Sequence, residues 1–223
     1  MSATYFSSSI GRKQMIAVTG IVMVLFLFGH LSGNLLIFKG PDALNGYSEF
    51  LHSLGGLLWV ARLGLIGSVL LHIGLIVQLV LENRRARPQS YYTELHADTR
   101  SWFTKTMRLT GVLLLVYIVW HLVDYTFTPA HTLNATVNGE YLGLYGLVYN
   151  SFLNPVRSAF YLVSMLAVGF HLSHGIQSVF QTFGLLNSTR LKRIKNISVA
   201  VGVLVTIGYA SIPIYVMIHS YMS

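Results

Sequence analysis

The feature that most constrains this chain is a series of five apolar runs, each long enough for a helix to cross a lipid bilayer. A hydrocarbon core about 30 Å thick needs about 20 apolar residues in a helix. The runs lie at about 14–38, 57–81, 107–127, 156–186 and 197–218. The expected fold is therefore all-α, an integral membrane bundle of five transmembrane helices forming a single domain over 1–223. Charged residues make up 10% of 223 positions, against about a quarter in a soluble domain, so much of the surface must face something other than water. The five runs leave no stretch for a separate soluble catalytic domain. The first is too long for the core of a secretory signal, about 7–15 residues, and no small-residue cleavage site follows it, so it reads as a retained helix.

Charge decides orientation and removes one function class. The net charge of +8 would suit nucleic acid only if the basic residues shared one soluble face. They sit instead at the ends of the apolar runs, the pattern of a protein in contact with anionic lipid. Arg12, Lys13, Arg84, Arg85, Arg87, Arg100, Lys105, Arg108, Arg190, Lys192, Arg193 and Lys195 fall on one side, and only Lys39, Arg62 and Arg157 on the other. This bias predicts a cytoplasmic N-terminus and a C-terminus outside. The longest cytoplasmic segment, 82–106, carries Tyr91, Tyr92, Glu94 and Trp102. It reads equally as a solvated loop or a docking surface for a cytoplasmic partner. The outer segments 39–56 and 129–155 are rich in Tyr, Gly and Asn and read as ordered.

The chain has no cysteine, which excludes disulfides, thiolate metal sites, iron–sulfur ligation and covalent c-type haem attachment. It has nine histidines, of which His30, His72, His121, His171 and His174 lie deep within the runs. Ionisable residues inside a membrane are expensive and are functional candidates by default. At 1.5 Å per residue, His30 and His121 each sit about 12–14 Å inside the outer edge, whereas His72 and His174 each sit about 18 Å from the inner edge. His30 can therefore meet His121 at one level, and His72 can meet His174 at another. Two facing histidines can supply both axial ligands of a haem. Small residues flank them (Gly29, Ser32 and Gly33; Ser68 and Gly74; Gly169, Ser173 and Gly175), as an inserted porphyrin or close helix packing would require. Zinc is disfavoured, because these helices offer no deep carboxylate or thiolate. A proton or ion path through the histidines competes with haem, although no internal repeat of the kind common in transporters is evident.

Several stretches together carry a resemblance. They are Ser8-Ser9-Ile10-Gly11-Arg12-Lys13 leading to Thr19-Gly20, then Gly29-His30-Leu31-Ser32-Gly33-Asn34-Leu35 and Trp59-Val60-Ala61-Arg62. His72-Ile73-Gly74, Trp120-His121-Leu122-Val123-Asp124, Phe170-His171-Leu172-Ser173-His174-Gly175 and Phe180-Gln181-Thr182-Phe183-Gly184 follow in the same order. Over nearly its whole length the chain resembles the membrane-anchor cytochrome b subunit of succinate dehydrogenases and fumarate reductases, in the five-helix, single-subunit, diheme form.

The resemblance implies two b haems, held by His30 with His121 and by His72 with His174. His171, three residues from His174 and on nearly the same face, is left as a polar neighbour or propionate partner. Arg62, and on the inner side Arg12, Lys13 or Arg108, are propionate candidates, since arginine pairs well with carboxylates. The resemblance also implies a bacterial cytoplasmic membrane and a place in the tricarboxylic acid cycle. Flavoprotein and iron–sulfur partners on the cytoplasmic side would perform the succinate chemistry, and a quinone, more often menaquinone in the diheme form, would exchange electrons with the haems. Quinone chemistry also moves protons, for which Glu49 is the candidate, with His52 nearby and Asp124 one turn past His121. For Glu49 and Asp124 the competing reading is a solvated or interfacial charge. The alternatives are a histidine-relay transporter and a diheme cytochrome of another dehydrogenase or hydrogenase.

Overall fold

A computed structural model describes residues 8–85, 102–128 and 135–222. Helix α1 (Ser9–Asn34) runs on through a 3-10 turn (Leu35–Lys39) and is followed by the short α2 (Pro41–Ser53) and the long α3 (Gly56–Arg85). Helix α4 (Trp102–Leu122) ends in a π turn (Val123–Phe127), and a hairpin, β1 (Thr136–Val137) with β2 (Glu140–Tyr141), leads into α5 (Gly143–Leu153). Helices α6 (Pro155–Thr182) and α7 (Ser188–Met222) complete the chain. Five segments are long and apolar enough to cross a membrane, namely Ser9–Lys39, Gly56–Arg85, Thr106–Phe127, Pro155–Thr182 and Ser188–Ser220. The protein is an all-α membrane bundle. The segment 82–106, read equally as a solvated loop or a docking surface, lies largely outside the described residues.

Local chemistry sets the helix ends. The Ser8 hydroxyl accepts from the Gly11 amide at 3.0 Å and caps α1. Asn154 caps α6 by accepting from the Val156 and Arg157 amides at 3.0 and 3.1 Å, with Pro155 in the first turn. Helix α6 stops four residues before the expected 186. Gly184 adopts φ +70, and the Leu185 and Gly184 amides donate to the Phe180 and Gln181 carbonyls, a Schellman stop. Helix α7 begins nine residues before the expected 197. Hydropathy marks where a segment enters lipid, whereas the basic residues of 190–195 are good helix formers and extend the helix into water.

Helix α6 is the most buried span and packs on α7, α4 and α1, while α3 packs on α1. The α6–α7 crossing is close because Gly169 and Gly202 face each other: a Cβ on Gly202 would strike the Gly169 carbonyl oxygen, and one on Gly169 would strike Thr206 Oγ1 of α7. Exposed Leu57, Val60, Leu63, Leu70 and Val77 give α3 a surface suited to lipid. At the end away from the basic residues, α2, the hairpin and α5 cap the bundle over Ile37, Leu44, Tyr145, Phe152 and Val216. Asn45 ties the cap together, donating to the Leu142 carbonyl at 3.0 Å and accepting from the Tyr145 amide at 3.1 Å.

Candidate functional site

The deep histidines fall into two groups. Nearer the cap, His30 on α1 and His121 on α4 face each other with ring centres 5.7 Å apart and planes at 88°. An aromatic shell holds them. Phe26 stacks on His30 at 5.2 Å, and Tyr209 lies 6.1 Å from it, its hydroxyl donating to the Leu27 carbonyl at 2.8 Å. Tyr117, Tyr125 and Tyr161 surround His121 at 5.6, 5.3 and 6.2 Å. His121 Nδ1 is buried with no hydrogen-bond partner among the described residues.

Toward the basic end, His72 on α3 lies against α1. Its Nδ1 is 3.0 Å from Thr19 Oγ1 and 3.1 Å from the Ile16 carbonyl oxygen. On the other side of the bundle, His171 on α6 lies against α4 with its Nδ1 3.2 Å from Thr110 Oγ1. Both His72 and His174 are within electrostatic reach of His171. Glycines follow both threonines. A Cβ on Gly20 would lie 3.6 Å from His72 Cε1, and one on Gly111 would lie 3.7 Å from His171 Cε1. The two arrangements match, and they expose a pattern not evident when the chain is scanned for repeats. Thr19-Gly20 precedes His30 by the same eleven residues that separate Thr110-Gly111 from His121. Eleven residues of helix span about 16 Å, so α1 and α4 each bear a histidine at one level and a histidine-anchoring threonine one level away.

Asp124 corrects the expectation of a solvated charge, for it is buried within the protein although it stands near the end of its span. It lies within the span Thr106–Phe127 and is only 8% exposed. The Tyr161 hydroxyl donates to its Oδ2 at 2.8 Å, and Arg157 Nη2 approaches its Oδ1 at 3.6 Å. The π turn positions it, and such turns are frequent at functional sites. Arg157 also donates to Ser151 at 3.1 Å. Beside this pair a groove of about 520 Å³ runs along α4, lined by Leu115, Val116, Val119, Trp120 and Val123. A second groove, about 360 Å³, lies near His72 between Met15, Val18, Leu71 and Phe183.

The other expected residues spread out. Glu49 and His52 are exposed on α2, and His52 Nδ1 bonds the Ser48 carbonyl at 2.7 Å. Arg62 stacks over Trp59 at 5.2 Å. Lys13 and Arg108 are exposed, whereas Arg12 is largely buried and paired with Glu82, its Nε without a hydrogen-bond partner among the described residues. These donors fit an anionic, bis-imidazole-ligated group. Two imidazoles bound to one metal by bonds of about 2 Å would have ring centres about 6 Å apart, close to the His30–His121 separation. Among the described residues no three histidine or acidic side chains cluster into a cage for a lone metal ion.

Comparison with known proteins agrees with this architecture. The succinate dehydrogenase cytochrome b558 subunit of Bacillus subtilis (strain 168) is 25% identical over 186 residues, covering 82% of this chain and 84% of that protein. No solved structure matches the chain. The profile of the succinate dehydrogenase/fumarate reductase transmembrane subunit family matches residues 80–210, more than half of the length. The chain therefore belongs to the succinate dehydrogenase/fumarate reductase transmembrane subunit family.

Proposed function

We propose that this chain is the single-domain, diheme membrane-anchor cytochrome b subunit of a succinate:quinone oxidoreductase. It would be a five-helix anchor in a bacterial cytoplasmic membrane, with its N-terminus and basic end in the cytoplasm and its C-terminus outside. Flavoprotein and iron–sulfur subunits would dock at the basic end and perform the succinate chemistry. This chain would carry electrons to a membrane quinone, menaquinone by resemblance. The observation that carries the reading is the facing of His30 and His121, with His72 and His171 each ring-anchored by a threonine one level away. A haem b at each level would supply a one-electron carrier whose potential is tuned by ligand hydrogen bonding and burial.

His30 and His121 would ligate one haem, and His72 with a histidine of α6 the other. Sequence resemblance favours His174 for that last position. Hydrogen bonding favours His171, because a metal-bound histidine normally gives its second ring N–H to an acceptor and Thr110 provides one. Arg12 near the basic end, and Arg62 about 15 Å along α3 from His72, would meet the propionates. Glu49 is exposed and suited to pass protons to water outside. The Asp124–Arg157 pair at the head of an apolar groove is better suited to hold a quinone headgroup, with the tail along Val116, Val119 and Val123.

The purified protein should give a reduced-minus-oxidised spectrum with b-type bands and two haems per chain. A preparation without haem bands would exclude the reading and favour a histidine relay. Co-purification with a flavoprotein and an iron–sulfur protein would separate this role from service to another dehydrogenase or hydrogenase.

A further inference from the structure

The histidine anchors have a direction that hydrogen-bond chemistry favours. Thr19 Oγ1 lies 2.9 and 3.0 Å from the Met15 and Ile16 carbonyl oxygens, and Thr110 Oγ1 lies 3.0 and 3.1 Å from those of Thr106 and Met107. A hydroxyl has one proton, and each threonine gives it to its own helix backbone. With the proton so placed, each hydroxyl accepts from the ring. For His72 the Ile16 carbonyl, which has no proton, demands the same. His72 therefore carries hydrogen on Nδ1, and the same proton order at Thr110 puts one on His171 Nδ1, leaving each Nε2 with a free lone pair. That is the tautomer an Nε2-ligated metal requires.

We infer that Thr19 and Thr110 are a matched pair of positioning residues that lock the tautomers of His72 and His171 and lower the potential of the haem between them. This rests on the cofactor reading above, with His171 as the α6 ligand, and goes beyond it in assigning a tuning role to two residues on α1 and α4. The physical route is short. An Nδ1–H held by an acceptor makes the imidazole more basic, and a more basic ligand stabilises ferric iron over ferrous. The two anchors differ in strength of dependence. His72 has the Ile16 carbonyl as a second acceptor, whereas Thr110 is the recorded partner of His171 Nδ1. Losing Thr110 therefore removes more than losing Thr19.

The test is an optical redox titration of the purified complex, with EPR of the oxidised haems, for Thr19→Val, Thr110→Val, the double variant and Thr110→Ser. The basic-end haem is identified as the one missing from His72→Ala. Thr110→Val should keep two haems and raise the midpoint of that haem by about 59 mV, a tenfold change for one electron. Thr19→Val should raise it less, the double variant most, and Thr110→Ser should restore the original value, with the other haem unmoved throughout. An unchanged midpoint and EPR signal in Thr110→Val, or equal shifts in both haems, would overturn the inference. If Thr110→Val loses the haem, retention at the native potential in Thr110→Ser supports the anchor, and loss there too refutes it. A wild-type complex without haem would instead refute the cofactor reading itself.

Discussion

The two histidine levels are held by different physics. At the basic end the His72 and His171 rings are fixed through specific atoms, with hydroxyl and carbonyl acceptors on α1 and α4. At the cap end His30 and His121 are held by the faces and edges of Phe26, Tyr117, Tyr125 and Tyr209, and His121 Nδ1 has no hydrogen-bond partner among the described residues. Hydrogen bonding sets the tautomer of a ring, while aromatic packing sets its plane and excludes solvent. The same side-chain type is thus held in a different way at each level.

The strongest challenge to this contrast is to remove one ring at a time. His30→Ala and His121→Ala should each abolish the same haem, and His72→Ala the other, halving the b-type absorbance per chain. Loss of both haems from one substitution would mean that the levels are not independent sites. Sharper still is the comparison within α6. His171→Ala should halve the absorbance and His174→Ala should leave two haems, and the reverse would return the ligand to His174.

Smaller effects probe what surrounds the cap-end rings. Asp124→Asn leaves Arg157 without its buried counter-charge and should lower stability in a detergent thermal melt by about 1–3 kcal/mol. It should also weaken quinone reduction, whereas Glu49→Gln should change only the pH profile. Tyr209→Phe deletes one hydrogen bond to the Leu27 carbonyl and should cost about 1 kcal/mol in the same melt. The smallest change is expected at the basic end from Glu82→Gln, whose carboxylate is 43% exposed beside Arg12. Its effect should stay within about 1 kcal/mol and fade with added salt.

The membrane bundle and the facing of His30 and His121 could be read in the chain because both follow from one-dimensional counts. Apolar length and residues per turn convert directly into depth. Asp124 defeated that approach. Its position one turn past His121 reads as a solvated charge, and only the π turn and the approach of Tyr161 and Arg157 from α6 bury it in the protein. The hairpin was also within reach, since Asn138-Gly139 is a strong signal for a two-residue turn with both residues at positive φ. It lay within a segment read only as ordered.

By itself the sequence determined the number of long apolar helices, the absence of thiol chemistry and the position of His30, His72, His121 and His174 along them. These depend on composition and on the fixed rise of a helix. Tertiary structure alone decided which polar atoms meet. Thr19-Gly20 and Thr110-Gly111 are ordinary membrane-helix dipeptides until α3 and α6 bring His72 and His171 against them. A hydrogen bond between helices depends on rotation about each axis, and packing partners set that rotation.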